Sequence, residues 1–472
     1  MIALITAKDP TDQAVVALIH QLIEQEIRFN AWETQKLSAE IPENLDSFDA
    51  AVIGEEVLRK VSAADRAKLE KYASEKYVWI LKDDCSTIDR TLLEQNMEVD
   101  INMFASVAGL KSEKLPPLSD KIIIDGFIEQ AERFWSVKKV RINEYSLHFL
   151  EGGLALLNTP YAPAGWEEKT EAAFQEICGL LNVDGNHDQL GAASLLNEYA
   201  LRTGKSEIRQ KMFDVVDKIL EKRPRTPEGL LAMGGDKDDP LFFNGINTMW
   251  FGNNGYTTAG RHIVSNEMFH YYGGVFAACA AAGRPEMLDE AAAFLDHIDT
   301  VHRDKDNLLF HASRFKEVIG SKWGRGNTHA LLGAFYMLRR YPDMPENILQ
   351  KVIRFLDKSG HGLKAVQTEN GLWRNVLDDP ATSEETSCSV LITCIYSWCV
   401  NRGYMDKDFY APMILKAREA LKRKFWHGIG SGNCIGSFPA VNNPQFYRRR
   451  RHHGYVMPLI VPALLESAKL KK

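Results

Sequence analysis

Two hydrophobic periods divide the chain. Over residues 1 to 110, short apolar runs alternate with amphipathic stretches. Met1–Thr6 reads as a buried strand, Thr11–Gln25 as a helix, Arg28–Trp32 and Phe48–Gly54 as strands, and Ser62–Ser74 as a helix. Tyr77–Leu81 gives a fourth strand and Val99–Phe104 a fifth. Strand and helix alternating at this spacing predict βαβ units on a parallel sheet, hence a flavodoxin-like three-layer α/β sandwich. Beyond Leu115-Pro116-Pro117-Leu118 the apolar positions recur at helical spacing. Helices are expected over Lys121–Arg133, Glu168–Leu181, Gly191–Thr203, Glu207–Lys222, Asn266–Ala282, Met287–His302 and Thr328–Arg340. They continue over Glu346–Ser359, Glu385–Asn401, Tyr410–Lys424 and Met457–Leu470. The domains read from this division are 1–115 and 116–472.

The helices recur as hairpins. Ala200–Gly204, Ala280–Gly283, Arg339–Pro342 and Cys399–Gly403 are tight junctions that close a helix with Gly or Pro. The alternate junctions are longer and repeat an apolar position at Leu230, Leu308 and Leu372. Short turns at one end and long loops at the other, in about six hairpins, predict a closed (α/α)6 barrel with its long loops around one mouth. An open superhelical solenoid is the competing architecture.

Composition removes several function classes. A net charge of -6 leaves no basic footprint for nucleic acid. The local exception, Arg448–Arg451, is either a solvated face or an anion-binding edge. Seven scattered cysteines form no CxxC pair, which argues against a zinc site or a disulfide framework. There is no apolar run long enough to span a membrane and no leader in MIALITAKDP, so a cytoplasmic protein is expected. The first βα turn, Thr6–Pro10, has no glycine fingerprint for a dinucleotide or nucleotide. Cys85 follows the fourth strand without a nucleophile elbow. The N-terminal domain is therefore expected to serve structure, or assembly of a homo-oligomer.

The chemistry gathers in the long loops. Trp250, Trp323, Trp373 and Trp426 lie there with His187, His262, His311, His329 and Arg325. Aromatic planes stack on sugar rings, and Arg and His pair with carboxylates, so the combination points to a sugar acid. Four segments then form an ordered set: Asn186–Gly191 (NHDQLG), Pro224–Gly229 (PRTPEG), Lys322–His329 (KWGRGNTH), and Gly371–Asp379 (GLWRNVLDD) followed by Glu385–Ser387. With Gly430–Gly436 and Tyr447-Arg448, they resemble motifs of the unsaturated rhamnogalacturonyl and glucuronyl hydrolases, glycoside hydrolase family 105 and the related family 88.

The resemblance implies a six-hairpin barrel acting on an oligosaccharide that ends in a 4,5-unsaturated uronic acid. A carboxylic acid protonates C4 of the double bond, water adds at C5, and the hemiketal opens to free the aglycone. It implies neither metal nor cofactor. The substrate-binding candidates are His187, His262, His311, Trp323, Arg325, His329, Trp373, Glu385 and Tyr447. The catalytic candidates are Asp188, Asn266 and Glu267. Aligning Met268-Phe269 on the family pattern puts Asn266 at the place of its principal acid, with Glu267 turned about 100° away on a helix.

Three outcomes follow. Asp188 carries the proton while Asn266 orients water; or Asp188 works with Glu267 or Glu385 as a conventional uronidase; or the barrel binds a sugar acid without cleaving it. Asp188 and Glu385 also read as plain helix caps. An epimerase-like isomerase with paired histidines is a further alternative, against which the Trp-Gly-Arg-Gly-Asn motif argues.

Overall fold

The computed structural model describes residues 2–6, 29–33, 50–75, 77–81, 88–91, 98–99, 117–137, 144–181, 187–222, 225–231, 263–314, 316–382, 384–424, 434–435, 452–453 and 459–471. The chain forms two compact units. The first comprises Met1–Ser119, Lys422–Gly436 and Arg451–Val456. Its strands β1 (Ile2–Thr6), β2 (Phe29–Glu33), β3 (Ala50–Gly54), β4 (Tyr77–Leu81), β5 (Ile88–Thr91) and β6 (Glu98–Val99) lie in the order β2-β1-β3-β4-β5-β6. β1 to β4 pair in parallel, with Ile2 between Phe29 and Ala50. β5 and β6 depart from the expected parallel sheet and pair antiparallel. Residues 82–87 are too short a connection for the crossover that a parallel neighbour needs. After the single turn α1 (Glu55–Leu58), helix α2 (Ala63–Glu75) buries Leu69 and Tyr72 and exposes Arg66, Lys68 and Glu70. The expected helix Thr11–Gln25 and the expected fifth strand from residue 100 onward lie outside the described residues.

The second unit comprises Asp120–Leu421, Ser437–Arg450 and Met457–Lys472. Its described helices are α3 (Asp120–Val137), α4 (Glu144–Leu156), α5 (Trp166–Leu180), α6 (His187–Thr203), α7 (Ser206–Lys222) and α8 (Asn266–Ala281). The rest are α9 (Glu286–His297), α10 (Gly324–Arg340), α11 (Glu346–Ala365), α12 (Thr386–Asn401), α13 (Lys407–Lys424) and α14 (Ile460–Lys469). α4, α6, α8, α10, α12 and α14 pack side by side in that order, and α14 packs back on α4, which closes a ring. The alternate helices lie outside: α5 on α4 and α6, α7 on α6, α9 on α8, α11 on α10. α8, α10 and α12 are buried nearly all round, whereas α11 buries one stripe, Ile348, Val352, Phe355, Leu356 and Leu363. Small residues let the inner helices touch. A Cβ at Gly273 of α8 would sit 2.8 Å from the carbonyl oxygen of Gly333 on α10.

The repeated apolar position belongs to a repeated turn. Leu230, Leu308 and Leu372 each follow a residue in the left-handed region: Gly229 (φ 89°), Asn307 (φ 66°) and Gly371 (φ 101°). The amides of Gly229, Asn307 and Gly371 donate to Thr226, Asp304 and Thr368. In each copy the preceding side chain reaches the carbonyl of that residue: Arg225 at 2.6 Å, Arg303 at 2.7 Å, Gln367 at 2.8 Å. Gly and Asn adopt this conformation at least cost.

Candidate active site

Inner helices begin at the long-loop mouth, and short strands lead into them. β7 (Ile263–Ser265) feeds α8 and pairs antiparallel with β8 (Ala312–Arg314), which pairs with β9 (Glu317–Ile319). β10 (Trp373–Arg374) pairs with β11 (Glu384–Glu385), which feeds α12. Trp323, leading α10, bridges Val376. Because Ser265 lies opposite Ala312, His311 is held beside the first turn of α8 although 44 residues separate it from Glu267.

Glu267 and His311 form the centre of the cluster. His311 Nε2 lies 2.6 Å from Glu267 Oε1, with both residues buried. Burial alone would raise the carboxyl's pKa. The charge and hydrogen bond of His311, with the charge of His329, outweigh burial and hold it down at about 2. Glu267 Oε2 has no hydrogen-bond partner among the described residues. The His311 ring lies 4.7 Å from Trp323, and His329 meets Trp323 edge-on at 5.8 Å. The Arg325 guanidinium sits 5.1 Å over the same indole. His270, one helical turn beyond Glu267, stacks on His329 at 5.3 Å.

Asn266 is not part of this cluster. Its Nδ2 donates to the Phe310 carbonyl at 2.9 Å and its Oδ1 accepts from His302 Nδ1 at 2.7 Å. Both ends of the amide are hydrogen-bonded to protein and the residue is fully buried, which sets it apart from the expected task of orienting water.

The tryptophans also differ from expectation. Trp323 and Trp373 are 2% and 0% exposed, so neither offers an open face to a sugar ring. Trp373 Nε1 donates to the Leu363 carbonyl at 2.7 Å, inside the barrel wall. Trp323 is packed by its own motif: a Cβ at Gly326 would lie 2.8 Å from the indole, and one at Gly324 would lie 2.7 Å from the Arg374 carbonyl. Asn327 accepts from the Leu309 amide at 2.8 Å and donates to the carbonyls of Leu309 and Trp323. Trp-Gly-x-Gly-Asn is thus a clamp between loops, and Arg325 is its half-buried cation.

Glu385 is a helix cap. Its carboxylate accepts from the Cys388 amide at 2.6 Å and from the Ser387 hydroxyl. α6 starts at His187, four residues before the expected Gly191, so Asp188 lies within its first turn rather than ahead of it. The side chains of His187 and Asp188 lie outside the described residues, as do His262, Tyr447, Trp250, Trp426 and Arg448–Arg451.

Several residues at this mouth carry no sequence signal. α9 ends in a π-helical turn, Ile298–His302, which replaces the expected continuous helix and turns His302 toward Asn266. Ser313 Oγ lies 2.9 Å from both His302 Nε2 and His297 Nε2. Lys322, buried just ahead of Trp323, is paired with Asp306 at 2.5 Å, Asp304 at 2.7 Å and Asp378 at 3.2 Å.

Comparison with known proteins agrees with this architecture. An unsaturated 3S-rhamnoglycuronyl hydrolase of Formosa agariphila is 35% identical over 104 residues, 21% of this chain and only 26% of that relative's length. A possible family 105 member from Salmonella enterica superposes with a TM-score of 0.61 at 15% identity, covering 75% of this chain and 95% of the other. The unsaturated glucuronyl hydrolase of Bacillus sp. GL1, responsible for glycosaminoglycan degradation, superposes at 0.53 and 14% identity over the same shares. At such identities the superpositions speak for the fold. The model of Glycosyl Hydrolase Family 88 matches residues 164–456, well over half of the chain, and this protein belongs to that family.

Proposed function

We propose that this chain hydrolyses oligosaccharides ending in a 4,5-unsaturated uronic acid, with Glu267 and His311 as its proton-transferring pair. The observation that carries the reading is the 2.6 Å contact between a carboxylate and an imidazole at the head of α8, where Glu267 keeps a slight exposure (8%) that His311 lacks, with Arg325 over the Trp323 ring that His311 also meets. The uronate-directed activities of the rhamnoglycuronyl and glucuronyl relatives support the substrate class.

In this mechanism the pair holds one proton and delivers it to C4. Water forms the new bond at C5 and returns its proton to the pair. C5 is then a hemiketal: its bond to the ring oxygen breaks to leave a ketone, and C1, now a hemiacetal, collapses to an aldehyde and frees the aglycone. Arg325 takes the uronate carboxylate. Asp188, in the first turn of the inner helix α6, is the second carboxyl of the proposal. The α/β unit is assigned to structure or homo-oligomer assembly.

The test follows the absorbance of the conjugated double bond with lyase-generated pectic and glycosaminoglycan fragments. The wild type consumes it and Glu267→Gln does not. Absence of turnover on every fragment at every pH sinks the proposal. Saturable binding without turnover would then point to a sugar-acid-binding protein, and release of aglycone from a saturated glucuronide to a conventional uronidase.

A further inference from the structure

Asn266 stands one residue from Glu267, yet its side chain serves another segment. Its backbone amide donates to the His311 carbonyl at 3.2 Å, and its Nδ2 donates to the Phe310 carbonyl at 2.9 Å. The Phe310 amide donates in turn to the His302 carbonyl at 2.9 Å. The two residues that deliver the His311 ring are therefore held by Asn266, and Asn266 is held by the π turn.

The Phe310 carbonyl fixes the direction of the two bonds made by the Asn266 amide, and a neutral His302 sets the rest. A carbonyl only accepts, so the Asn266 atom facing Phe310 is the NH2, and Oδ1 faces His302. His302 Nδ1 must then carry a proton. Burial, with the charges of His297 and His311, holds His302 neutral by pushing its pKa well below the usual histidine value. Its Nε2 is a lone pair, so the Ser313 hydroxyl donates to it. Ser313 oxygen in turn accepts from His297 Nε2. Asn266, His302 and Ser313 are all essentially inaccessible to solvent. An amide satisfies both neighbours of position 266. A carboxylate satisfies only His302 and sets an oxygen against the Phe310 carbonyl, unless it is protonated and donates there as the amide does.

We infer that Asn266, His302 and Ser313 are positioning residues: they hold the Phe310-His311 segment so that the His311 ring meets Glu267. The inference rests on the reading of Glu267 and His311 as the reactive pair. Asn266→Asp at the family's acid position is then no gain of an acid. Its carboxyl would face His302 directly, with Glu267 and His311 beside it and, behind Ser313, His297 within electrostatic reach of Glu228 and Lys316.

The experiment compares kcat and KM for wild type, Asn266→Asp, Ser313→Ala and Glu267→Gln from pH 5 to 8, with circular dichroism as the folding control. Asn266→Asp is expected to lose tenfold or more in kcat at pH 8, with KM within twofold, and to recover part of the loss at pH 5. Ser313→Ala, which keeps the Asn266–His302 bond, is expected to lose several-fold in kcat at unchanged KM. In ¹⁵N-histidine spectra of the wild type, His302 should appear as the Nδ1–H tautomer. A kcat profile for Asn266→Asp equal to wild type or shifted upward at neutral pH overturns the inference, as does an Nε2–H tautomer at His302. If Asn266→Asp does not fold, wild-type kinetics in Ser313→Ala overturn it. Full activity in Glu267→Gln defeats instead the underlying reading of the reactive pair.

Discussion

A carboxylate and an imidazole lie 2.6 Å apart in a buried site, and the imidazole holds Glu267 in its ionised form. Removing the charge from Glu267 while keeping its shape should therefore abolish proton transfer without emptying the site. Glu267→Gln is expected to reduce kcat by about a thousandfold, measured by loss of double-bond absorbance. The same residue makes a prediction about stability. Its folded-state pKa of about 2 lies below its unfolded value, so its ionised form stabilises the fold above the unfolded pKa. That contribution should be present at pH 5 and fade as the pH falls from about 4.5 toward 2. Urea unfolding of wild type and Glu267→Gln should show a stability difference that shrinks over this window, and a difference unchanged down to pH 2 would contradict the assignment. Arg325 acts at the same scale. Its planar fork suits a carboxylate and a lysine's point charge does not, so Arg325→Lys should raise KM about tenfold with a smaller change in kcat.

At the scale of elements, the mouth is organised by connections rather than by helices. Lys322 draws together the turn at Asp304 and Asp306 and the loop at Asp378, with its side chain 7% exposed against 32%, 38% and 42% for the three aspartates. Lys322→Met keeps the apolar stem and leaves three carboxylates facing one another. Because those carboxylates are partly solvated, the expected loss is about 2 kcal/mol rather than the larger cost of a fully buried pair. Chemical denaturation checks it, and the loss should diminish in high salt.

The repeated turns, one of which this clamp holds, were legible in the sequence. Leu230, Leu308 and Leu372 repeat, and the Gly or Asn before each states its backbone conformation. The strands that align Glu267 with His311 were not: three residues are too few to show alternation. Helix α4 escaped because Gly152-Gly153 interrupts a helical pattern, although Gly153 is there to admit Trp135 (a Cβ would lie 3.1 Å from that ring). The recurrent tryptophans suggested sugar platforms, since a sequence does not say which face of a ring is covered. The displacement of Asn266 from the Glu267–His311 cluster had no signal at all, because it depends on a π turn 32 residues downstream.

On the scale of the whole helical unit, the ring closes through its last helix. α14 packs on α12 and α4, and Ile460, Val461, Ala463 and Leu464 are buried in that closure. The candidate pair sits at the head of α8, against Trp323 at the head of α10, so in this reading α14 contributes to function only by completing the ring that aligns those helices. Two variants separate local packing from closure. Leu464→Ala deletes buried atoms from one joint and should cost about 3 kcal/mol, seen as a lower denaturation midpoint, while kcat per folded molecule stays within twofold. Ending the chain before Ile460 instead bares the apolar flanks of α4 and α12 together, and no other described helix is placed between them. That truncation should abolish activity and open the helical unit to limited proteolysis, although no candidate catalytic residue is removed. A truncated chain with full turnover would mean that the α8–α10–α12 arc holds its geometry as an open solenoid, the architecture that helical periodicity alone leaves equally available.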